Sequence, residues 1–187
     1  MNADAAEILI RRMRVEDLER VFMIALSRRD APHWPQTAYL SALKPDSTPR
    51  RIGLVAEDAS EGHGALVLDW RADDLVAPIK SPSAYAETRK GRVVGFAIAS
   101  LLPPQAELES IVVSAPEQRR GIGRELFSAM TEELWAAGVS EFMLEVREGN
   151  QRALDFYLSL GWRETGRRPR YYADPEEDAV LMSLVVG

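Results

Sequence analysis

The chain has 187 residues, which suits a single domain, and its 46% hydrophobic residues are enough to build a core. It contains no cysteine and two histidines, which excludes disulfides, thiol nucleophiles and zinc ribbons and argues against any metal site. The net charge of −6 argues against nucleic-acid binding. No apolar run approaches the roughly 20 residues that cross a bilayer, and residues 1–10 lack the pattern of a signal peptide. We therefore expect a cytoplasmic protein without a membrane or nucleic-acid partner.

Helix and strand patterns alternate in the first half of the chain. Ile8–Met13 has the composition of an edge strand, and the acidic residues of Val15–Asp17 mark a helix start. The spacing of apolar residues predicts that this helix buries Leu18, Val21, Phe22, Ala25 and Leu26. A second short helix is predicted at Trp34–Leu40, and strands are predicted at Ile52–Ala56 and Arg92–Ser100.

The segment 58–90 lies between the last two of these strands. Glycine, proline and serine interrupt it, and it is too long to be a hairpin turn. An apolar patch at 65–68 has the composition of a short strand. A lid over a substrate is one interpretation of this segment, and an insertion with no part in the site is the other. We favour the insertion.

The second half of the chain has the clearer patterns. A strand is predicted at Leu108–Val113, and a helix is predicted at Gly121–Ala137 with Gly138 at its C-terminal end. The apolar stripe of this helix contains Ile122, Leu126, Met130, Leu134 and Ala137. The next strand is Phe142–Val146.

The last third of the chain supplies a capped helix and two strands. Asn150 is a suitable N-cap for a helix whose apolar face contains Ala153, Phe156, Tyr157 and Leu160, and which Gly161 ends. Two final strands, Arg163–Arg167 and Ala179–Val185, are predicted to be joined by a loop that carries Tyr171 and Tyr172. The order of the elements indicates an α/β (α+β) fold around one mixed sheet.

The stretch Gln118-Arg-Arg-Gly-Ile-Gly123 places two glycines and two arginines at a helix start. The N-terminus of a helix leaves about four amides unpaired and carries about half a positive charge. Glycines allow a ligand to approach the backbone, and arginines add positive charge. An ordinary turn with solvated arginines is the alternative. The pattern lacks the lysine of a Walker A loop and the third glycine of a dinucleotide fingerprint.

The context of this stretch resembles the GNAT N-acetyltransferase superfamily, whose acyl-CoA pyrophosphate loop has the form Gln/Arg-x-x-Gly-x-Gly/Ala. The resemblance continues through Leu144-Glu-Val-Arg147, Asn150, Phe156-Tyr157, Leu160-Gly-Trp162 and Arg168-Pro-Arg-Tyr-Tyr172. This C-terminal series is most similar to the ribosomal-protein alanine N-acetyltransferases. It is dense from about Val93 to Met182, and it implies a GNAT fold with a mostly antiparallel sheet that splays at its centre.

The resemblance also implies a function and a set of site residues. The implied reaction is direct acetyl transfer from acetyl-CoA to a protein N-terminal α-amine, with a ribosomal protein as the leading partner. Glu145 corresponds to the family's general base and Tyr157 to its general acid. The cofactor-binding residues implied are Ile111, Val112, Val113, Gln118, Arg119, Arg120, Gly121, Ile122, Gly123, Arg124, Asn150, Ala153 and Tyr157. The substrate-binding residues implied are Glu109, Tyr171 and Tyr172.

Each assignment has an alternative. Glu145 has the position of a surface carboxylate at a strand end, and Tyr157 lies on an apolar helical stripe where core residues also lie. Glu107 and Glu109 are rival bases, since both lie on the strand that flanks the acetyl group in this superfamily. The two tyrosines at 171 and 172 could pack within a hairpin. A small-molecule amine acetyltransferase and a non-catalytic acyl-CoA sensor are the other functions that fit the sequence.

Overall fold

The computed structural model describes residues 7–28, 34–44, 47–60, 67–68, 84–85 and 91–185. The helices are α1 (Leu18–Leu26), α2 (Gln36–Ser41), α3 (Ile122–Ala136) and α4 (Gln151–Ser159). The strands are β1 (Ile8–Arg12), β2 (Arg50–Asp58), β3 (Val67–Leu68), β4 (Ala84–Tyr85), β5 (Arg92–Leu102), β6 (Gln105–Val113), β7 (Glu141–Arg147), β8 (Arg163–Ala173) and β9 (Glu176–Val185).

Among the described residues, seven strands form one sheet in the order β1-β2-β5-β6-β7-β9-β8. Every neighbouring pair is antiparallel except β6 and β7, which run parallel. This agrees with the predicted mixed, mostly antiparallel sheet. β5 lies inside the sheet, between β2 and β6, and is buried along nearly its whole length. It is therefore an apolar run rather than an alternating one.

Helices cover both faces of the sheet, and each face has its own core. On one face, α3 and α4 pack against the sheet through side chains such as Leu126, Met130 and Trp162. On the other face, α1 and α2 pack through Val21, Tyr39 and the β5 residue Phe96. The sheet thus separates two compartments, and any site that uses both must pass between two strands.

The start of α1 is fixed by a buried carboxylate. Asp17 is almost fully buried, accepts hydrogen bonds from both terminal nitrogens of Arg11 at 2.7 and 2.9 Å, and accepts another from the Arg14 amide. A buried carboxylate requires such partners. Hydrogen bonding to Asp17 in turn raises the pKa of Arg11. The β1 strand is therefore tied to the helix that follows it.

Two of the sequence predictions are wrong. Leu26 does not belong to the buried stripe of α1, because it is 52% exposed, and Ile24 takes a buried place instead. Tyr171 and Tyr172 lie in β8, which extends to Ala173, and not in a loop. The reason is a bulge: the pairing of β8 with β9 passes from Arg168 opposite Ala179 to Tyr172 opposite Glu177, so that β8 has two extra residues.

Most of the predicted insertion at 58–90 lies outside the described residues. At its two ends, Asp58 pairs with Arg92 as the last rung of the β2–β5 ladder. Within it, β3 and β4 pair antiparallel, which agrees with a short strand in the apolar patch at 65–68. Whether the chain forms a single domain with this insertion stays a prediction. No helix of the described ranges is long and apolar enough to cross a membrane.

Candidate active site

A cleft opens where β6 and β7 part. The two strands pair only between Gln105–Glu107 and Glu141–Met143, and beyond this point they diverge. β6 contains a bulge there: Ile98 faces Ser110 whereas Ala99 faces Leu108, so Glu109 is an extra residue. A bulge bends its strand and increases the local twist, which directs the rest of β6 away from β7. The resulting cleft has a volume of about 1250 Å³ and reaches both faces of the sheet.

Unpaired backbone amides lie along one side of this cleft. A short 3₁₀ turn at Ala115–Glu117 follows β6, and Arg119 and Gly121 then adopt positive φ angles of 69° and 85° before α3 begins. In the part of the chain that the structure describes, the amides of residues 119–123 donate to no protein acceptor. Several unpaired donors at the N-terminus of a 15-residue helix form a site for an anion.

Side-chain hydrogen bonds fix the loop between β6 and α3. Glu117 is buried and accepts from Arg92 at 2.9 Å and from Arg120, which also lies 3.9 Å from Asp58. The side-chain Nε2 of Gln118 donates to the carbonyl of Val113 at 3.0 Å. The guanidinium of Arg120 is therefore engaged with acidic side chains rather than directed into the cleft.

The first turn of α3 packs closely against α4. A Cβ built on Gly123 would lie 3.5 Å from the ring of Phe156, an ordinary van der Waals distance, so the two helices are separated there by the width of one methyl group. Arg152 of α4 donates to the side-chain oxygen of Gln118 at 2.6 Å, and Arg124 donates to Ser159 at 3.3 Å. The predicted cap of α4 is confirmed: the Asn150 side chain accepts from the Ala153 amide at 3.2 Å.

Tyr157 of α4 lines the cleft and is only 8% exposed. Its ring packs against Trp162 and Phe156 with centroids 5.6 and 5.5 Å apart. Burial raises the pKa of the Tyr157 hydroxyl well above its ordinary value near 10, because the phenolate would be poorly solvated. The hydroxyl is thus a proton donor throughout the physiological range, and the packing of the ring fixes its position.

Glu145 of β7 lies on the other side of the cleft. Its neighbours Leu144 and Val146 are buried on the α3 face, so the alternation of the strand places Glu145 on the opposite face. Its side chain is 19% exposed, and Oε1 lies 2.7 Å from Nη1 of Arg168. Hydrogen bonding to Glu145 raises the pKa of the nearby Tyr171 hydroxyl. The carboxylate therefore has a cation and a phenol beside it.

The two rival carboxylates differ in their partners. Glu109 receives two hydrogen bonds of 2.8 Å from Arg51 of β2, and Arg51 also donates to Ser41 of α2. Glu107 has no ion pair among the described residues. Partial burial raises its pKa, and the charges of Glu109 and Glu145 add to this effect, whereas Arg51 and Arg168 oppose it.

The tyrosine pair forms the wall of the cleft beside Glu145. The rings of Tyr171 and Tyr172 meet edge to face with centroids 5.1 Å apart. Arg147 stacks on Tyr172 at 4.1 Å and Arg168 lies over Tyr171 at 4.9 Å. Burial, with a further contribution from the Glu145 charge, raises the pKa of Tyr172 to about 12. Tyr172 lines the cleft directly, whereas Tyr171 lies behind it at 45% exposure.

The structure brings most of the predicted site residues together. All of them line the one cleft except Arg120, which pairs with Glu117, and Tyr171. Glu107 does not line it either. Sequence reasoning did not assign a role to Arg168, Arg152 or Arg51, which contact Glu145, Gln118 and Glu109. The richness of residues 163–170 in arginine was a signal for the first of these, and the sequence contains no comparable signal for the other two.

The described part of the chain contains no group of three or more His, Asp or Glu side chains that could hold a metal ion. An anion site, a buried phenol and a carboxylate on opposite sides of a gap in a sheet define an acyl-group transferase that binds a phosphate-containing donor.

Comparison with known proteins agrees with this geometry. Residues 53–162 match the model of the acetyltransferase (GNAT) family. The [ribosomal protein bS18]-alanine N-acetyltransferase of Escherichia coli is 39% identical over 102 residues, which are 54% of this chain and 69% of that protein. The crystal structure of the ribosomal-protein-S18-alanine N-acetyltransferase from Escherichia coli superposes with a TM-score of 0.68 at 25% identity, covering 97% of this chain and 95% of that one.

A second solved structure shows the same fold at lower identity. Ard1 from Thermoplasma volcanium superposes with a TM-score of 0.71 at 23% identity, covering 96% of this chain and 98% of that one. The chain belongs to the GNAT acetyltransferase family, and it is an N-acetyltransferase. The splayed sheet and the fold class predicted from the sequence are confirmed.

Proposed function

We propose that this protein transfers an acetyl group from acetyl-CoA to the α-amine of a protein N-terminus, with the alanine terminus of a ribosomal protein as its leading acceptor. One observation carries the proposal: Arg119 and Gly121–Gly123, whose amides are free, line the same cleft as Tyr157 and Glu145. The name of the Escherichia coli relative supports the choice of acceptor. A cytoplasmic location follows from such an acceptor.

The residues present fit acetyl-CoA. Five unpaired amides beside Arg119 and Arg124 suit the pyrophosphate, because they combine donors with positive charge. Ile111–Val113, Asn150 and Ala153 line the cleft beyond the amides and would hold the arm of the cofactor. When bound, acetyl-CoA supplies an acetyl group activated as a thioester.

Glu145 is the proposed general base. A free α-amine has a pKa of about 7.7–8.0, so near neutral pH much of it carries an extra proton that must leave before the nitrogen can attack. The Glu145 carboxylate accepts this proton, directly or through one water molecule. Glu109 is a weaker candidate, because both of its oxygens accept hydrogen bonds from Arg51.

Tyr157 is the proposed general acid. Burial keeps its hydroxyl protonated, so it can donate a hydrogen bond to the sulfur while the bond between the acetyl carbon and the sulfur breaks and negative charge develops there. The amides of Ile111–Val113 would stabilise the negative charge that develops on the acetyl oxygen. Direct attack agrees with the absence of cysteine from the sequence, since no thiol is present to form an acyl-enzyme.

Acetylation of matched peptides tests this function. The purified protein is supplied with acetyl-CoA and four acceptors: a peptide that begins with alanine, the same peptide with a formylated N-terminus, a formylated peptide with one lysine, and a panel of small amines. Release of free thiol gives the rate, and mass spectrometry locates the acetyl group. We expect transfer to the α-amine of the first peptide. Transfer to lysine or to small amines alone would overturn the proposed acceptor, and binding of acetyl-CoA without transfer would indicate a sensor.

A further inference from the structure

The ion pair between Glu145 and Arg168 has an unequal environment. The Glu145 side chain is 19% exposed, whereas the Arg168 side chain is 53% exposed, and their nearest atoms are 2.7 Å apart. Pairs with a solvent-exposed partner contribute little to folding stability. Arg168 can therefore leave Glu145 at a small cost.

The fold places Arg168 on Glu145 from two strands away. β9 lies between β7 and β8, and Leu181 of β9 pairs with Glu145 on one side and with Gly166 on the other. Gly166 has no side chain, and Arg168 lies two residues further along the same face. The guanidinium consequently reaches diagonally across β9 to the carboxylate.

The bulge in β8 provides a second partner for this guanidinium, in the same position in which it pairs with Glu145. Arg170 lies in the bulge with a φ of 51°, and its amide donates to Asp178 at 2.8 Å, which fixes the backbone. The bulge returns the Tyr171 ring to the side of Arg168, 4.9 Å from the guanidinium carbon. An aromatic face at this distance attracts a cation.

Among the described residues, Arg168 is the one cation that pairs with Glu145. The other titratable groups around Glu145 are Glu107 of β6 and Tyr171 and Tyr172 of β8. The neighbouring Arg147 is occupied elsewhere, because it pairs with Glu177 and donates to the carbonyls of the β8–β9 turn.

We propose that Arg168 is a positioning residue whose guanidinium holds, in the free protein, the place on the Glu145 carboxylate that the ammonium of the acceptor takes on binding. The inference rests on the proposed function, since it requires an amine acceptor and Glu145 as its base. Between turnovers Arg168 keeps the carboxylate oriented. An entering ammonium displaces it from the carboxylate, and the Tyr171 ring remains as its partner. A hydroxyl carries no charge and cannot displace it, so the arrangement selects amines over alcohols.

Binding measurements on Arg168→Gln test this exchange. Calorimetry with CoA present and no acetyl group compares an alanine-initiated peptide with its formylated form. We expect the dissociation constant of the free-amine peptide to fall about two- to fivefold in Arg168→Gln, the range that an exposed ion pair supports. Arg168→Lys, which retains the cation, should behave as the wild type. The double variant Glu145→Gln/Arg168→Gln should lose the gain.

Several results would overturn the inference. An unchanged dissociation constant in Arg168→Gln would do so, and so would an equal gain for the formylated peptide, which would indicate only a loss of steric bulk. The kinetic counterpart is a lower KM in Arg168→Gln without a higher kcat at saturation. A purely structural role would instead lower kcat and the melting temperature together.

The failure of this inference is distinguishable from that of the proposed function. If the wild type acetylates the α-amine but Arg168→Gln binds the peptide no more tightly, only the role of Arg168 is refuted. If the wild type acetylates a lysine side chain or a small amine instead, the proposed acceptor is refuted. The dissociation constants of that amine and of its acetylated product are then compared in the wild type and in Arg168→Gln. Tighter binding of the free amine alone in the variant would again support the role of Arg168, and unchanged binding would refute it. A wild type that acetylates no amine overturns both.

Discussion

The two sides of the cleft present different chemical groups. The side formed by residues 118–124 and α4 presents backbone amides. Its side-chain hydrogen bonds connect Gln118 to Val113 at the end of β6 and to Arg152 of α4. The side formed by β6, β7 and β8 presents carboxylates that are paired with arginines, namely Glu109 with Arg51 of β2 and Glu145 with Arg168. The first side binds through backbone geometry, and the second binds through charges that can exchange partners.

This difference indicates which side can vary without loss of the reaction. Backbone amides at a helix start recognise a phosphate whatever the neighbouring side chains are, so the donor side depends on conformation. Ion pairs depend on individual residues, and a single substitution changes their charge balance. We therefore expect substitutions on the donor side to affect the cofactor alone, whereas those on the acceptor side should alter acceptor choice and pH dependence.

The largest effect is expected for Tyr157→Phe, at the junction of the two sides. The phenylalanine ring keeps the packing on Trp162 and deletes the proton donor. A positioned general acid contributes about 10²–10⁴-fold, so kcat should fall by that factor with little change in melting temperature. Tyr39→Phe is the control, since Tyr39 is also buried but lies on the α1–α2 face. A decrease in kcat within a few-fold would show that Tyr157 is only a core residue.

Glu145→Gln should lower kcat by a similar factor near pH 7, and this decrease should become smaller as the pH rises. Glutamine keeps the shape of the side chain but cannot accept a proton. Above about pH 8 an α-amine loses its proton to the solvent, and the variant should partly recover. A lysine side chain, with a pKa near 10.4, would give little recovery in the same range. Rates of both enzymes across pH 6.5–9 are the measurement, and parallel profiles would direct attention to Glu107 or Glu109.

Gly121→Ala tests the donor side with a matched control. Gly121 and Gly138 have φ angles of 85° and 83° at the two ends of α3, and a Cβ at either position would meet no protein atom closer than 4.0 Å. Both substitutions should therefore cost similar stability through backbone strain, on the order of 1 kcal/mol. Only Gly121→Ala places a methyl group beside the free amides, and we expect it to weaken CoA binding about tenfold, the equivalent of one charge-assisted hydrogen bond.

Calorimetric titration with CoA and thermal melts of the two glycine variants separate affinity from strain. Equal CoA affinity in Gly121→Ala and Gly138→Ala would refute the anion site at residues 119–123. Normal kcat at saturating acetyl-CoA is expected for Gly121→Ala, because its defect concerns the donor side alone.

The smallest effect is expected for Glu107→Gln. The folded protein raises the pKa of Glu107, so the folded state binds a proton more tightly there than the unfolded state does. Stability is therefore lost as the pH rises through this pKa and regained as the pH falls. Removal of the charge should raise the free energy of unfolding at pH 7 by a few tenths of a kcal/mol, as surface changes usually do, and the gain should vanish at acidic pH. Urea unfolding of both proteins at pH 4 and pH 7 checks this.

The sequence predicted the donor side of the cleft more completely than the acceptor side. Gln118–Gly123, Asn150 and Tyr157 could be assigned a place because their signals are local: glycines before a helical stripe, a cap, and a residue on an apolar face. Most strands extend a few residues beyond their predicted ends, whereas β1 ends at Arg12, one residue before the predicted Met13. Local patterns do not record where a strand bulges, and the bulge in β8 is the reason that Tyr171 and Tyr172 were placed in a loop.

The acceptor side was predicted less completely for a physical reason. The Arg51–Glu109 pair joins residues that are 58 positions apart, and it forms only because β2 and β6 both border β5. Leu26 satisfied the helical spacing of α1 but lies at its last turn, beyond the cover of the sheet, and is exposed. Such features depend on the packing of elements against each other, which the order of residue types does not specify.

The pairing of Asp58 with Arg92 means that the segment between them could be replaced without disturbing the sheet. Because the segment leaves β2 and enters β5 at the two ends of one rung of an antiparallel ladder, a two-residue Asn-Gly turn between Asp58 and Arg92 could replace it without a change of strand register. The ion pairs of Glu117 and Arg120 lie at the same end of that ladder. Segments of other lengths could thus replace residues 59–91 while the sheet and the cleft are preserved. The position is therefore suitable for the insertion of a reporter or a second binding domain.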